Sequence, residues 1–239
     1  MANPAGPEVQ EELFRRLASG YDRAIRRYQP TYDAMLGLST DLARVAAPRR
    51  ERCLDFGTGT GAALPLLAAS FDEVVAIDPG KPMLELARAR VSSALGTTGA
   101  RVAFIEGTVQ TEAAGDLSNE SFDAVHCSLV LMFVKEDSEK RQVLEFFHRI
   151  LRPGGALVVT DIVTAAGART ERDNFGRWKE VMRHRGADDD FITAAERQVQ
   201  GTMHRRTVDE LTSLLEQAGF ENVEQPFHVL HTAMLLATK

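Results

Sequence analysis

Asp55 precedes three alternating glycines, Gly57, Gly59 and Gly61, and Asp78 closes the apolar run Val74-Val75-Ala76-Ile77. Glycines at that spacing let backbone N–H groups approach a ligand closely, and a carboxylate can accept from both hydroxyls of a ribose. This is chemistry for holding the adenosine part of a cofactor. The spacing is G-x-G-x-G, with Ala62 where a pyrophosphate-binding loop would carry its third glycine. Asp55 suits a cationic amino-acid ligand better than a dinucleotide phosphate. The bland alternative is a tight strand-to-helix turn, with Asp78 capping the next helix.

Proton transfer would fall to six histidines. His126 lies within an apolar strand and reads as a satisfied core residue, and His148 reads as a helix-surface residue. His184 and His204 lie in a polar, helix-prone segment and are the candidate general bases. In the same segment Arg172, Arg177, Arg183 and Arg185 surround the single tryptophan, Trp178. Such arginines suit a carboxylate or phosphate, or form a solvated helix face. No His/Asp/Glu cluster has metal-ligand spacing. Asp188-Asp189-Asp190 reads as a loop leading to a helix cap near Thr193.

The elements that must position these groups alternate. Strands are expected at 52–56, 73–77, 101–106, 122–128 and 156–161, with helices near 61–69, 81–95 and 138–151. Pro82 suits a first helical turn, and Pro153-Gly154-Gly155 should stop the third helix and turn into the fifth strand. Thr207 with Glu210 signals a capped helix that Gly219 ends. Asn222–Val229 and His231–Ala237 read as an edge hairpin. Upstream, Val9, Leu13, Leu17 and Tyr21 mark a helix from Glu8, and a second follows Pro30 to Val45. This rhythm predicts an α/β chain with a mostly parallel sheet covered on both faces. Three parts are expected: an N-terminal helical cap over 1–48, a cofactor domain over 49–161 and 207–239, and a helical lid over 162–206.

Composition bounds the function. The 239 residues carry 28 basic and 34 acidic side chains, a formal net charge of −6, which argues against nonspecific nucleic-acid binding. The N-terminus lacks a signal-peptide pattern and no apolar run could cross a membrane. Cys53 and Cys127 lie in apolar runs and read as buried, reduced thiols, so a cytoplasmic location is expected.

Leu54-Asp55-Phe56-Gly57-Thr58-Gly59-Thr60-Gly61 resembles the first motif of the class I S-adenosylmethionine-dependent methyltransferases. Phe122–Ser128 resembles their fourth strand, and Leu151-Arg152-Pro153-Gly154-Gly155 the turn before their fifth. The resemblance implies a Rossmann-like seven-stranded sheet whose last strand is antiparallel. It also implies S-adenosylmethionine as cofactor, with S-adenosylhomocysteine as product. Asp55 would contact the methionine amino end with Gly57, Thr58, Gly59 and Gly61, and Asp78 would take the ribose hydroxyls. Pro79 and Met83 would pack on the adenine, with Thr108 and Val109 near its edge, Thr108 standing where many relatives have an acid. Tyr32 would close over the methionine end, and Ser128 completes the set. Gln29-Pro30-Thr31-Tyr32 and the pattern from Trp178 to Phe220 are similar to the carboxy-S-adenosylmethionine synthase branch. Ser128 stands where that branch has Asn, and Arg197 lies only near its carboxylate-binding arginine. An ordinary methyl donor acting on a small molecule, an anionic one included, is therefore the expectation, and a homodimer is compatible with it. The modified-cofactor synthase and a non-catalytic cofactor-binding regulator remain the alternatives.

Overall fold

The computed structural model describes residues 20–95 and 101–239. Seven strands form one sheet: β1 Arg52–Phe56, β2 Glu73–Asp78, β3 Arg101–Glu106, β4 Phe122–Ser128, β5 Leu151–Ile162, β6 Glu221–Val229 and β7 Thr232–Thr238. Their order is β3-β2-β1-β4-β5-β7-β6. β1 to β5 are parallel, and β7 runs antiparallel to both β5 and β6. The chain reverses direction across the sheet between β1 and β4. Beyond the carboxyl ends of those strands, such sheets leave a crevice for ligands.

The helices are α1 Tyr21–Tyr28, α2 Tyr32–Ala46, α3 Leu64–Ala68, α4 Lys81–Leu95, α5 Glu112–Gly115, α6 Asp137–Ile150, α7 Ala168–His184, α8 Asp189–Thr202 and α9 Val208–Gln217. One buried cluster joins residues of α1 to α4 and of α7 and α8 to one face of the sheet. A second gathers residues of α6 and α9 on the other face. Alternation along the strands explains the split: Cys53, Val74, Ala124 and Val158 face the first cluster, and Leu54, Val75, Val125 and Leu157 the second. Among the described residues, no helix is long and apolar enough to cross a membrane.

Most expected elements are present, and the departures have local causes. The helix expected from Glu8 lies, up to residue 19, outside the described residues. α6 ends at Ile150, and β5 already begins at Leu151 and runs through the Pro153–Gly155 bend. Gly154 N–H donates to the Lys239 carbonyl at 2.7 Å, so the residue following β7 holds that bend. α8 starts four residues before the expected cap at Thr193. Asp188 caps it by accepting from Phe191 N–H at 2.8 Å, so the acidic run is a helix start. Trp178 does not face a ligand. Phe175, Trp178 and Met182 repeat at helical spacing on the inner side of α7, and Trp178 is 1% exposed. Its ring N–H donates to the Tyr28 carbonyl at 2.7 Å, and its ring packs edge-on against Tyr28 and His231. The arginines on the other faces of α7 are exposed. Cys53 and Cys127 are buried free thiols whose pKa values burial raises.

Candidate active site

The glycine loop leaves β1 with three consecutive alternating residues in the left-handed region: φ is +71° at Gly57, +53° at Gly59 and +74° at Gly61. A Cβ on Gly57 would stand 2.3 Å from Val130 Cγ2, and one on Gly61 2.8 Å from Ala87. A Cβ on Gly59 would meet nothing within 4 Å. The first and third glycines let the loop pack on its neighbours, whereas the second leaves open backbone, a cradle that any side chain would fill.

Asp55 and Asp78 flank this loop. Asp55, 3% exposed, receives Thr58 Oγ1–H at 2.5 Å on Oδ2 and bonds His126 Nδ1 at 2.7 Å through Oδ1. Nε2 of His126 lies 2.9 Å from Ser39 Oγ. A polar chain therefore runs from the loop through β1 and β4 into α2. Asp78 accepts from Gly59 N–H at 2.8 Å and from Gly80 N–H at 2.7 Å, one bond to each oxygen. Each oxygen keeps a further lone pair for another donor. Burial holds the Asp78 carboxyl above the usual carboxylate range, against the pull of those two N–H groups.

A small cavity of about 50 Å³ opens over the loop. Tyr32, Asp55, Gly57, Thr58, Gly59 and Ser128 share its lining with Tyr21, Leu36 and His126. The remaining expected residues are placed otherwise. Gly61 faces α4, Met83 is buried beside Gly80, and Pro79 is exposed. Thr108 turns its hydroxyl to Gln110 Oε1 at 2.7 Å, and Val109 packs against the second core cluster. His184 is exposed at the end of α7, and neither it nor Arg197, exposed on α8, lines this cavity. His204 is half-buried, its backbone N–H donating to the Met132 carbonyl at 2.7 Å.

α1 closes one side of the site. Thr60 Oγ1 donates to Asp22 Oδ1 at 2.7 Å, and Arg90 of α4 pairs with the same carboxylate. That anchor sets the adjacent Tyr21 over the loop. Burial, with Asp78 and Asp22 nearby, pushes the Tyr21 hydroxyl up to about 12, so it stays a neutral donor. Tyr21 also lines a second cavity between α1, α8 and the loop after β4. Neither Tyr21 nor His126 was among the residues expected from sequence. Tyr21 was legible only as part of a helical stripe, and no local signal marks a strand histidine whose partners lie 71 and 87 residues away.

A family model described as a methyltransferase domain matches residues 20–225, most of the chain. The chain belongs to the methyltransferase-domain family. This methyltransferase is 25% identical to a carboxy-S-adenosyl-L-methionine synthase of Desulfotalea psychrophila, over 99% of the chain and 95% of that protein. It is 35% identical to a demethylmenaquinone methyltransferase of Clavibacter sepedonicus, over 66% of the chain and 60% of that protein. In fold it is similar to an O-methyltransferase family protein of Burkholderia thailandensis, with a TM-score of 0.67 at 14% identity, covering 97% of this chain and 62% of that one. The class I methyltransferase assignment carries S-adenosylmethionine as the cofactor. The open backbone at Gly59 and the remaining lone pairs of Asp78 fit that group.

Proposed function

We propose that this methyltransferase passes the methyl group of S-adenosylmethionine to a small-molecule acceptor by in-line displacement, releasing S-adenosylhomocysteine. The observation that carries the reading is the pair of carboxylates on adjacent strands, Asp55 and Asp78, on either side of a glycine loop whose middle glycine is open. In this reading Asp78 takes the ribose hydroxyls, and Asp55 takes the amino end of the methionine, with Gly57, Thr58 and Gly59 supplying backbone. Ser128 and Tyr32 line the same space. Pro79, Met83, Thr108 and Val109 remain the proposed adenine side.

When bound, the sulfonium methyl is already a strong electrophile. The protein's task is then alignment, a nucleophile held in line at about 3–3.5 Å with water excluded. Leu36, Leu129 and Ala63 line the cofactor cavity with apolar surface. Tyr21, neutral at ordinary pH, orients an acceptor by hydrogen bonding and does not deprotonate it. If a base acts, His204 is the better placed of the two candidate histidines. Met132, bonded to its backbone, and its neighbour Met203 both line the second cavity, whereas His184 points outward at the end of α7. In this reading α7 and α8 would serve as the lid and α1 and α2 as the cap.

A second reading has its own support. Carboxy-S-adenosyl-L-methionine synthases are similar to this chain over nearly its full length, as the Wolinella succinogenes protein also is, at 26% identity over 96% of the chain. Mass spectrometry of ligand copurified with the protein separates the two, because a carboxylated cofactor carries a distinct added mass. Calorimetry with S-adenosylmethionine and S-adenosylhomocysteine tests both. Binding of neither would end the proposal.

A further inference from the structure

The second cavity has a volume of about 330 Å³. Its wall is built by three separate parts of the chain. α1 contributes Ile25 and Tyr28, the turn after β4 contributes Met132 and Phe133, and α8 with its end contributes Phe191 and Met203. Among the described residues of its wall none is formally charged, and Gln198 is the sole amide. The Tyr28 hydroxyl is turned to Met203 Sδ at 3.4 Å, a weak acceptor within the same apolar wall. Arg27 lies against the ring of Phe191 at 4.4 Å, but its guanidinium donates to the Gly186 carbonyl and faces Asp188. At the lip, Phe133 is 52% exposed.

Tyr21 lines this cavity and the cofactor cavity alike. An occupant of the larger one therefore meets the smaller one at a phenol. We propose that the larger cavity is the acceptor site and that its acceptor is an uncharged, largely apolar small molecule, presenting its one polar reacting atom at Tyr21. This rests on the methyl-transfer reading and specifies its substrate class. Volumes of about 300–1,000 Å³ with predominantly apolar linings and few polar groups are the usual dimensions of small-molecule sites. A carboxylate placed here would lose its water and gain no cation from the described lining, a cost of several kcal/mol. The arginines of α7, which first suggested an anionic acceptor, face solvent elsewhere.

The test uses two bicyclic probes of one shape, neutral 2-naphthol and anionic 2-naphthoate, titrated calorimetrically into the full chain with and without S-adenosylhomocysteine. 2-Naphthol is expected to bind, and 2-naphthoate about tenfold more weakly or worse. Ala24→Trp and Ala194→Phe fill the cavity from exposed positions. Both should abolish 2-naphthol binding while leaving S-adenosylhomocysteine affinity, the control for folding, unchanged. Equal or tighter binding of 2-naphthoate, or 2-naphthol binding that ignores both variants, overturns the assignment and leaves cofactor binding intact. Selective, variant-sensitive 2-naphthol binding without any S-adenosylhomocysteine binding upholds the apolar site and defeats methyl transfer instead.

Discussion

His126 Nδ1 and Asp55 Oδ1 stand 2.7 Å apart, on residues that face each other across the β1–β4 pairing. Both side chains are almost fully buried. The contact lies where the sheet order reverses, so this cavity-lining carboxylate is held from the opposite half of the fold. Ser39 fixes the other side of the imidazole. Asp55 thus takes its orientation from β4 and α2, which the glycine motif does not include.

The two nitrogens allow a graded test. An Asn side chain mimics Nδ1 and keeps a donor for Asp55, while Phe leaves Asp55 without its partner. His126→Phe should weaken S-adenosylhomocysteine binding about tenfold or more and cost about 1–3 kcal/mol of stability. His126→Asn should pay the stability penalty but keep cofactor affinity within a few-fold. Calorimetry and urea denaturation read the two effects separately, and equal affinity loss in both variants would make His126 a packing residue only.

Asp78 should act through charge and lone pairs together. Replacing it with Asn halves its acceptors and removes the charge, which should weaken cofactor binding by about 10- to 100-fold, given about 1.5–3 kcal/mol for a charge-assisted bond. Because burial raises its pKa, affinity in the wild type should also fall as acidification protonates the carboxylate, and at a higher pH than an exposed Asp would show. Titrations at several pH values check this, and a flat profile would remove Asp78 from the ribose contact.

The sheet was legible because its central strands are apolar runs bounded by glycine, proline or charge, and β1, β3 and β4 fall where they were read. Half of the residues expected around the cofactor, Tyr32, Asp55, Gly57, Thr58, Gly59 and Ser128, line one cavity, because the strand ends and the start of α2 converge there. Trp178 misled because an amphipathic helix shows arginines and an aromatic in one stretch. Its spacing to Phe175 and Met182 held the correct answer, an inward stripe. Tyr21, Asp22 and His126 earn their places through long-range pairing, which no window of sequence displays.

Stability should rise on mild acidification and then level off. Asp161 is buried, its Oδ1 has no hydrogen-bond partner, and desolvation pushes its pKa up to about 7. The folded state therefore binds a proton that the unfolded chain releases above about 3.9, so stability rises as pH falls toward 7 and below. His231, buried among Phe175 and Trp178, is pushed down to about 4, mainly by desolvation. The unfolded chain takes up that proton from about 6.5 downward, so stability is lost between there and 4. Urea midpoints should climb from pH 8.5 to about 6.5 and then stay nearly level to about pH 4, where the continuing gain from Asp161 offsets the loss from His231. Asp161→Asn should turn that plateau into a decline and His231→Phe into a continued climb, and a variant that leaves the plateau unchanged would remove its group from the account.

Gly57 and Gly59 should separate folding from binding, although both hold positive φ in the same loop. Alanine at either position carries a backbone cost of about 1–2 kcal/mol for the left-handed conformation. At Gly57 the new methyl would also stand 2.3 Å from Val130 Cγ2, on a stiff β-branched side chain that cannot swing aside cheaply. Gly57→Ala should therefore lower the thermal midpoint markedly. At Gly59 the methyl meets no protein atom within 4 Å and projects into open cradle. Gly59→Ala should fold with only the backbone cost and yet lose most affinity for S-adenosylhomocysteine, since the methyl stands where the ligand must approach. Thermal melts paired with calorimetry on the two variants decide it. Wild-type affinity in a folded Gly59→Ala protein would mean that the open face of the loop is not where the cofactor lies.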